Sequence, residues 1–273
     1  MKRLFLGSVA LVALGLGAPA AFAADMPAYA PPPPAPPAYT WTGCHIGGGG
    51  GYSSGTSQHF LTAGSVRTTS GTALGTPLPA GATNVTDSFN LSGFVGFGEL
   101  GCDWQWGTWV FGIAGDGNAT NKEGQAFEIP LVPFAGAGRA NWISETQERW
   151  LVTARARLGL TNFWWFGPNT LVYVTGGGAW AKIDTSEFLP GANATITGHQ
   201  ESNTRSGWTV GAGAEYAVGY GWSVKSEFLY VKFDDYTTFT NAPFALAPFG
   251  NVAPRQVRLE DYIWRAGLNY KFW

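Results

Sequence analysis

Tyr262-Ile-Trp-Arg-Ala-Gly-Leu-Asn-Tyr-Lys-Phe-Trp273 is the stretch whose alternation decides the fold. Tyr262, Trp264, Ala266, Leu268, Tyr270 and Phe272 share one face of an extended strand, while Arg265, Gly267, Asn269 and Lys271 share the other. Successive side chains of a strand point to opposite sides, so the first set meets an apolar surround and the second a polar one. That is the pattern of a barrel strand crossing a membrane. Ten steps of about 3.3 Å, tilted near 45°, rise roughly 24 Å, the height of an outer-membrane apolar band. Aromatic residues fall at both ends of that rise.

The other end of the chain points to the same compartment. Lys2 and Arg3 precede an apolar run from Leu4 to Ala20, followed by Ala21-Phe22-Ala23, which reads as a secretory signal over residues 1–23 with a mature start at Ala24. No later apolar run is long enough for a spanning helix, so a mature protein lodged in a membrane must be a closed barrel, which restricts it to an outer membrane. Cys44 lies well beyond the signal junction, which excludes a lipoprotein reading. Charged residues make up only 12% and aromatics 15%, with 39 glycines and 13 tryptophans. This balance is too aromatic for disorder and too poor in charge for a typical soluble helical domain. A formal net charge of −2 gives no basic field, so no nucleic-acid partner is expected.

Residues 24–39 carry Pro31 to Pro34, Pro36 and Pro37, a composition that favours extended polyproline II and cannot enter a sheet interior. They read as a periplasmic spacer. Residues 40–273 then alternate between strands and connections, predicting one eight-stranded, antiparallel, up-and-down transmembrane β-barrel. The strands are expected at Thr40 to Ser53, Phe89 to Trp106, Trp109 to Thr120, Glu145 to Leu160, Thr170 to Lys182, Arg205 to Ala217, Trp222 to Phe233 and Val257 to Trp273. Connections alternate long and short. Ser54 to Ser88, Asn121 to Ser144, Ile183 to Thr204 and Asp234 to Gln256 read as extracellular loops, and the short links read as periplasmic turns. Gly47 to Gly51 is not a phosphate loop, because no Lys-Ser/Thr pair follows it; glycines in such strands instead let rings lie over the backbone.

The same parity places ten ionisable groups in the lumen: Glu99, Asp103, Asp116, Arg155, Arg157, Glu215, Lys225, Glu227, Arg265 and Lys271. An eight-stranded barrel is just wide enough for its side chains to fill it, so this balanced set predicts a cross-linked polar plug. A one-residue slip would put Arg155 and Arg157 into lipid at about 2–4 kcal/mol each. The two cysteines, Cys44 and Cys102, reach an oxidising compartment, and they fall on neighbouring strands at the same end with both thiols on the outer face. A disulfide is therefore expected.

Trp41-Thr-Gly-Cys-His-Ile-Gly47, Arg155-Ala-Arg-Leu-Gly159, Tyr173-Val-Thr-Gly-Gly-Gly178, Gly207-Trp-Thr-Val-Gly-Ala-Gly-Ala-Glu-Tyr216, Lys225-Ser-Glu-Phe-Leu-Tyr230 and Arg265-Ala-Gly-Leu-Asn-Tyr-Lys-Phe272 occur in an order that is telling. Together they resemble the small porin-like outer-membrane immunogenic proteins of alphaproteobacteria. The resemblance implies an OmpA-like barrel and an abundant surface protein. It also implies a carboxy-terminal assembly signal at Gly267, Tyr270, Phe272 and Trp273, read by the barrel assembly machinery, with outer-membrane lipid as surround. The chain departs from the family pattern at Cys44 and His45, where an aromatic pair is usual, and at Ala114, where an acid commonly precedes Gly115-Asp116. Trp273 also extends past the expected terminal Phe272.

Some relatives are described as binding hemin, and His59 and His199, both read as loop residues, are the ligands such a site would use. His45 reads as a barrel-wall side chain. No short Cys/His spacing of a metal site is present, and neither a metal nor a cofactor is expected. Ser57, Ser65 and Ser70 share a predicted loop with His59, but no nucleophile-elbow pattern surrounds them, so no enzyme is expected. The readings carried forward are a plugged barrel with a structural or surface-interaction role, a hemin- or ligand-binding surface receptor, and a small-solute pore.

Overall fold

The computed structural model describes residues 39–61, 84–127, 143–189, 196–238 and 255–273, and among these there is no helix. The strands are β1 (Gly43–Leu61), β2 (Asn84–Trp106), β3 (Trp109–Phe127), β4 (Ile143–Thr161), β5 (Thr170–Leu189), β6 (Ile196–Gly219), β7 (Trp222–Phe233), β8 (Tyr236–Thr238) and β9 (Arg255–Lys271). Consecutive strands from β1 to β7 pair antiparallel, β7 pairs β9, and β1 pairs β9 to close the sheet. The three-residue β8 pairs with β9 just beyond the end of β7, so it continues β7's place after a break at Asp234 and Asp235. The closed barrel therefore has eight strand positions.

Side-chain burial follows the pleat. In β9, Tyr262, Trp264, Leu268 and Tyr270 are exposed on the outer wall, whereas Asp261, Ile263, Arg265 and Asn269 are buried within. In β4 the guanidinium-bearing Arg155 and Arg157 are buried while Val152 and Leu158 face outward. Val172, Tyr173 and Val174 of β5 give no clear alternation by themselves. Pairing with β4 and β6 puts both valines outside and Tyr173 inside, where it is 2% exposed. The outer wall between the rims is aliphatic, with Ile46, Leu100, Ile113, Val174, Val210 and Leu268 exposed. Aromatic side chains flank this band, the girdle expected at the two membrane interfaces. Trp104, Trp109, Trp222 and Tyr270 stand at the turn end, and Phe94, Trp150, Trp180, Trp208 and Tyr262 at the other.

Two turns are tight. Gly107, with φ 63°, and Thr108 join β2 to β3, while Tyr220 and Gly221, with φ 52° and 82°, join β6 to β7. A two-residue hairpin matches the strand twist with positive φ at both central residues, as at Tyr220 and Gly221, or at the first alone, as at Gly107. At the closing seam a Cβ on Gly49 or Gly51 would lie 2.1 Å from the carbonyl oxygen of Ala266 or Trp264, so side chains there would force β1 away from β9.

The strands are longer than the amphipathic pattern indicates. β1 continues through the segment read as loop to Leu61, β2 begins at Asn84, β3 runs to Phe127, and β5 and β6 leave only residues 190–195 between them. At about 3.3 Å per residue and a tilt near 45°, the 24 residues of β6 rise roughly 55 Å, about twice the apolar band. Beyond the membrane the backbone ladder still satisfies its N–H and C=O groups, and no lipid demands an apolar outer face, so hydropathy falls silent where pairing does not. The segments read as a signal over 1–23 and as a spacer up to residue 38, and the connections 62–83, 128–142, 190–195 and 239–254, lie outside the described residues.

Candidate functional site

Among the described residues the buried ionisable groups gather in the lumen, and the lumen is layered. At the turn end Trp41, Val110, Leu171, Tyr173 and Ala217 form an apolar layer with Tyr39 packed against it. Trp41 reaches this position from the segment preceding β1. Its indole N–H donates to the Pro168 carbonyl at 3.1 Å, and its backbone N–H donates to Gln105 Oε1 at 2.8 Å. Toward the other end a larger apolar layer contains Phe89, Leu91, Val95, Leu151, Ile183, Leu229, Val231, Phe233, Leu259 and Ile263. The interior is thus not the wholly polar plug that a list of inward charges suggests. Strand parity fixes which residues point inward, but which of them stack at one height depends on strand stagger.

Between these layers sit the charges. Arg265 of β9, 0% exposed, donates to Asp116 at 2.8 Å, to Glu227 at 2.6 Å and to Asn118 at 2.9 Å. Arg155 of β4 reaches the same two carboxylates, Asp116 at 2.6 Å and Glu227 at 3.0 Å, and lies 3.4 Å from Glu99. Lys225 Nζ sits 2.6 Å from both oxygens of Glu99. Arg157 pairs with Glu215 at 3.1 Å and lies 3.3 Å from Asp103. Tyr173 donates its hydroxyl to Glu227 at 3.0 Å, and Ser223 and Asn269 donate to Glu215. The guanidinium of Arg157 stacks over the Tyr173 ring at 4.3 Å, and that of Arg265 over Phe97 at 4.3 Å. Buried charge is tolerated where hydrogen bonds and opposite charges replace water, and each of these cations has both.

Two expectations change here. Lys271 is not part of the network: its ammonium bonds the Thr40 carbonyl and lies 4.4 Å from the centre of the Tyr39 ring, and among the described residues it has no carboxylate partner. β9 reaches the rim at Lys271, where the inner face meets the incoming segment rather than the charge layer. His45 takes a place inside instead, 3.5 Å from both Glu99 and Asp103 and 5% exposed. Strict alternation with Cys44 already places it there, so the parity rule held the signal.

A second ion cluster lies within the larger apolar layer, on residues that the sequence reading left out. Lys122 of β3 is 0% exposed, with Asp261 at 2.5 Å and Glu148 at 3.0 Å. Asp261 shares the parity of Arg265 and was legible. Lys122 was not, because it falls beyond the predicted end of its strand. His59 and Ser57 also belong to β1 rather than to a loop. Both are wholly buried, with Ser57 Oγ 3.1 Å and Thr146 Oγ1 3.5 Å from His59 Nε2. His199 lies in β6, which does not neighbour β1, and not in a loop. The polar strand ends were mistaken for connections in both cases. Ser65 and Ser70 lie outside the described residues.

At the turn-end rim Cys44 and Cys102, register partners on β1 and β2, form a disulfide with a Cα–Cα separation of 4.0 Å. Cys44 also ties β1 to the end of the chain. Its N–H donates to the Trp273 carbonyl at 2.9 Å, and its carbonyl accepts the Phe272 N–H at 3.0 Å. Among the residues read as an assembly signal, Tyr270, Phe272 and Trp273 are exposed. Gly267 faces inward, where an added Cβ would meet the Gly48 carbonyl at 2.6 Å and the Phe97 ring at 2.8 Å.

A closed antiparallel barrel with a lipid-facing aliphatic band, aromatic girdles and a charged interior defines an outer-membrane β-barrel protein. The family model described as outer membrane protein beta-barrel domain matches residues 8–272, and the chain belongs to that family. The 31 kDa outer-membrane immunogenic protein of Brucella melitensis biotype 1 is 32% identical over 275 residues, covering 100% of each chain, and that of Brucella suis biovar 1 matches equally. Solved outer-membrane proteins are similar at low identity. The protease OmpT of Escherichia coli has a TM-score of 0.47 at 10% identity, covering 85% of this chain and 98% of its own. OprG of Pseudomonas aeruginosa has a TM-score of 0.44 at 14% identity, covering 85% and 96%. Membership of the family and the Brucella relatives place this protein in the cell outer membrane.

Proposed function

We propose that the protein is a plugged, non-conducting barrel that acts as a rigid surface platform, holding its connections above the outer membrane. The observation that carries this reading is the filled lumen, where the buried ion pairs, those of Lys122 with Glu148 and Asp261 included, are bonded to one another and packed against apolar side chains rather than lining an open polar path for a hydrated ion. The extended strands fit the same role, since a β wall standing well beyond the girdle presents surface without flexibility. A non-enzymatic role also fits, because Ser57 and His59 contact one another inside the wall, where neither is accessible to a substrate. The test is conductance of the purified, folded protein in planar bilayers. Baseline current without steps is expected, whereas reproducible large openings of the wild-type protein would sink the proposal and favour a pore.

A further inference from the structure

We propose that the outer wall of β4 and β5 carries a binding site for the phosphate groups of lipid A, the anchor of lipopolysaccharide in the outer leaflet. Trp150 of β4, Trp180 of β5 and Trp208 of β6 lie on the outer wall, 36%, 43% and 45% exposed, and belong to the girdle at the long-connection end. Trp208 packs on Tyr230 with ring centres 5.5 Å apart, and Tyr230 on Tyr262 at 5.2 Å, which continues the row. Such a girdle marks headgroup depth, so the residues one step farther along each strand face phosphates and sugars rather than acyl chains.

At that depth β4 has a register irregularity between Glu148 and Trp150. A bulge re-aims side chains, and here it leaves Arg149 and Trp150 both exposed instead of alternating. The neighbouring Lys182 of β5 is the register partner of Trp150. Asp184 accepts from Arg149 Nε at 2.8 Å and is itself bonded by Ser202. This contact engages one edge of the guanidinium, while its two terminal nitrogens make no hydrogen bond among the described residues. Both Arg149 and Lys182 act electrostatically on Asp184, so the two cations share one neighbourhood.

The pair differs from the other outward cations at this rim. Lys232 is bound to Glu260 at 3.0 Å and Arg258 to Asp235 at 2.9 Å, each a closed ion pair. Arg149 and Lys182 share the carboxylate of Asp184, and neither has an ion pair with a second carboxylate among the described residues. A phosphate matches this arrangement, taking the paired Nη donors of Arg149 and the ammonium of Lys182 while an acyl chain lies along Trp150 and Trp180.

The probe is lipid A itself, added to the purified, folded full-length barrel in detergent and read by native mass spectrometry. Dephosphorylated lipid A, phosphatidylglycerol and inorganic phosphate serve as comparison ligands. Bisphosphorylated lipid A should bind at least about ten-fold tighter than its dephosphorylated form, as loss of charge-assisted hydrogen bonds implies. Arg149→Gln with Lys182→Gln should remove that preference, whereas Lys232→Gln with Arg258→Gln should leave it within about two-fold. If the first double variant fails to fold, Lys182→Gln alone decides the matter, because Lys182 makes no ion pair among the described residues and its loss should still weaken binding several-fold. Equal binding of the two lipid A forms, an equal loss in both double variants, or equal retention of phosphatidylglycerol would overturn the site.

Discussion

Replacing Arg265 by methionine should destabilise the barrel more than any other single change in its charge layer. The side chain is fully buried, supplies hydrogen bonds to Asp116, Glu227 and Asn118, and stacks on Phe97. Methionine keeps most of the volume and the contact with the ring but removes the charge. Arg155 would then be the only guanidinium left against Asp116 and Glu227, with Glu99 also nearby. Breaking a buried pair by removing one partner costs about 3–5 kcal/mol, because the remaining carboxylates stay desolvated without compensation. At about 1.4 kcal/mol per factor of ten, the unfolding equilibrium should shift by roughly two to three and a half decades. The assay is urea unfolding of the refolded protein in lipid vesicles, followed by tryptophan fluorescence and by the mobility difference between heated and unheated samples in gels. Arg265→Met with Asp116→Asn should move the midpoint back toward wild type, since one stranded charge is removed. A single variant whose midpoint matches the wild type, or a double variant no better than the single, would refute the view that these ion pairs hold the lumen together.

Three further outcomes are expected. Mass spectrometry of the exported, unreduced protein should find Cys44 and Cys102 protected from alkylation; closing their 58-residue separation stabilises by about 4 kcal/mol in the chain-entropy model, so Cys102→Ser should lower the urea midpoint. Gly213→Val should impair folding, because a Cβ there would lie 2.6 Å from the Tyr173 hydroxyl, displacing a ring that bonds Glu227; a variant of wild-type stability would show that Tyr173 has room to move. Tags near Gly75 or Ala247 should be labelled on intact cells while a tag within residues 25–37 should not, and labelling of the latter would invert the topology.

Much of the barrel was written into the chain, because a membrane imposes a local rule on every residue of a spanning strand. Alternation alone gives which face of β9 meets lipid, why Arg155 and Arg157 must point inward, and that Cys44 and Cys102 share the outer face. Closure follows as well, since an open edge cannot be satisfied in lipid. The two glycine-bearing turns needed no tertiary information either, whereas the expected long connection between β5 and β6 shrinks to residues 190–195, fewer than the residues 162–169 that link β4 to β5.

Tertiary structure decided what lies at the same height. Stagger between strands set the apolar layers above and below the charges, brought Asp116 of β3 to Arg265 of β9, and exchanged Lys271 for His45 within the network. It also decided where strands end. Above the girdle neither lipid nor periodicity constrains the outer face, so only pairing with neighbours keeps Ser57, His59 and Lys122 in the sheet. Those residues are held by backbone ladders supplied by other strands, and a local pattern cannot report a partner distant in sequence.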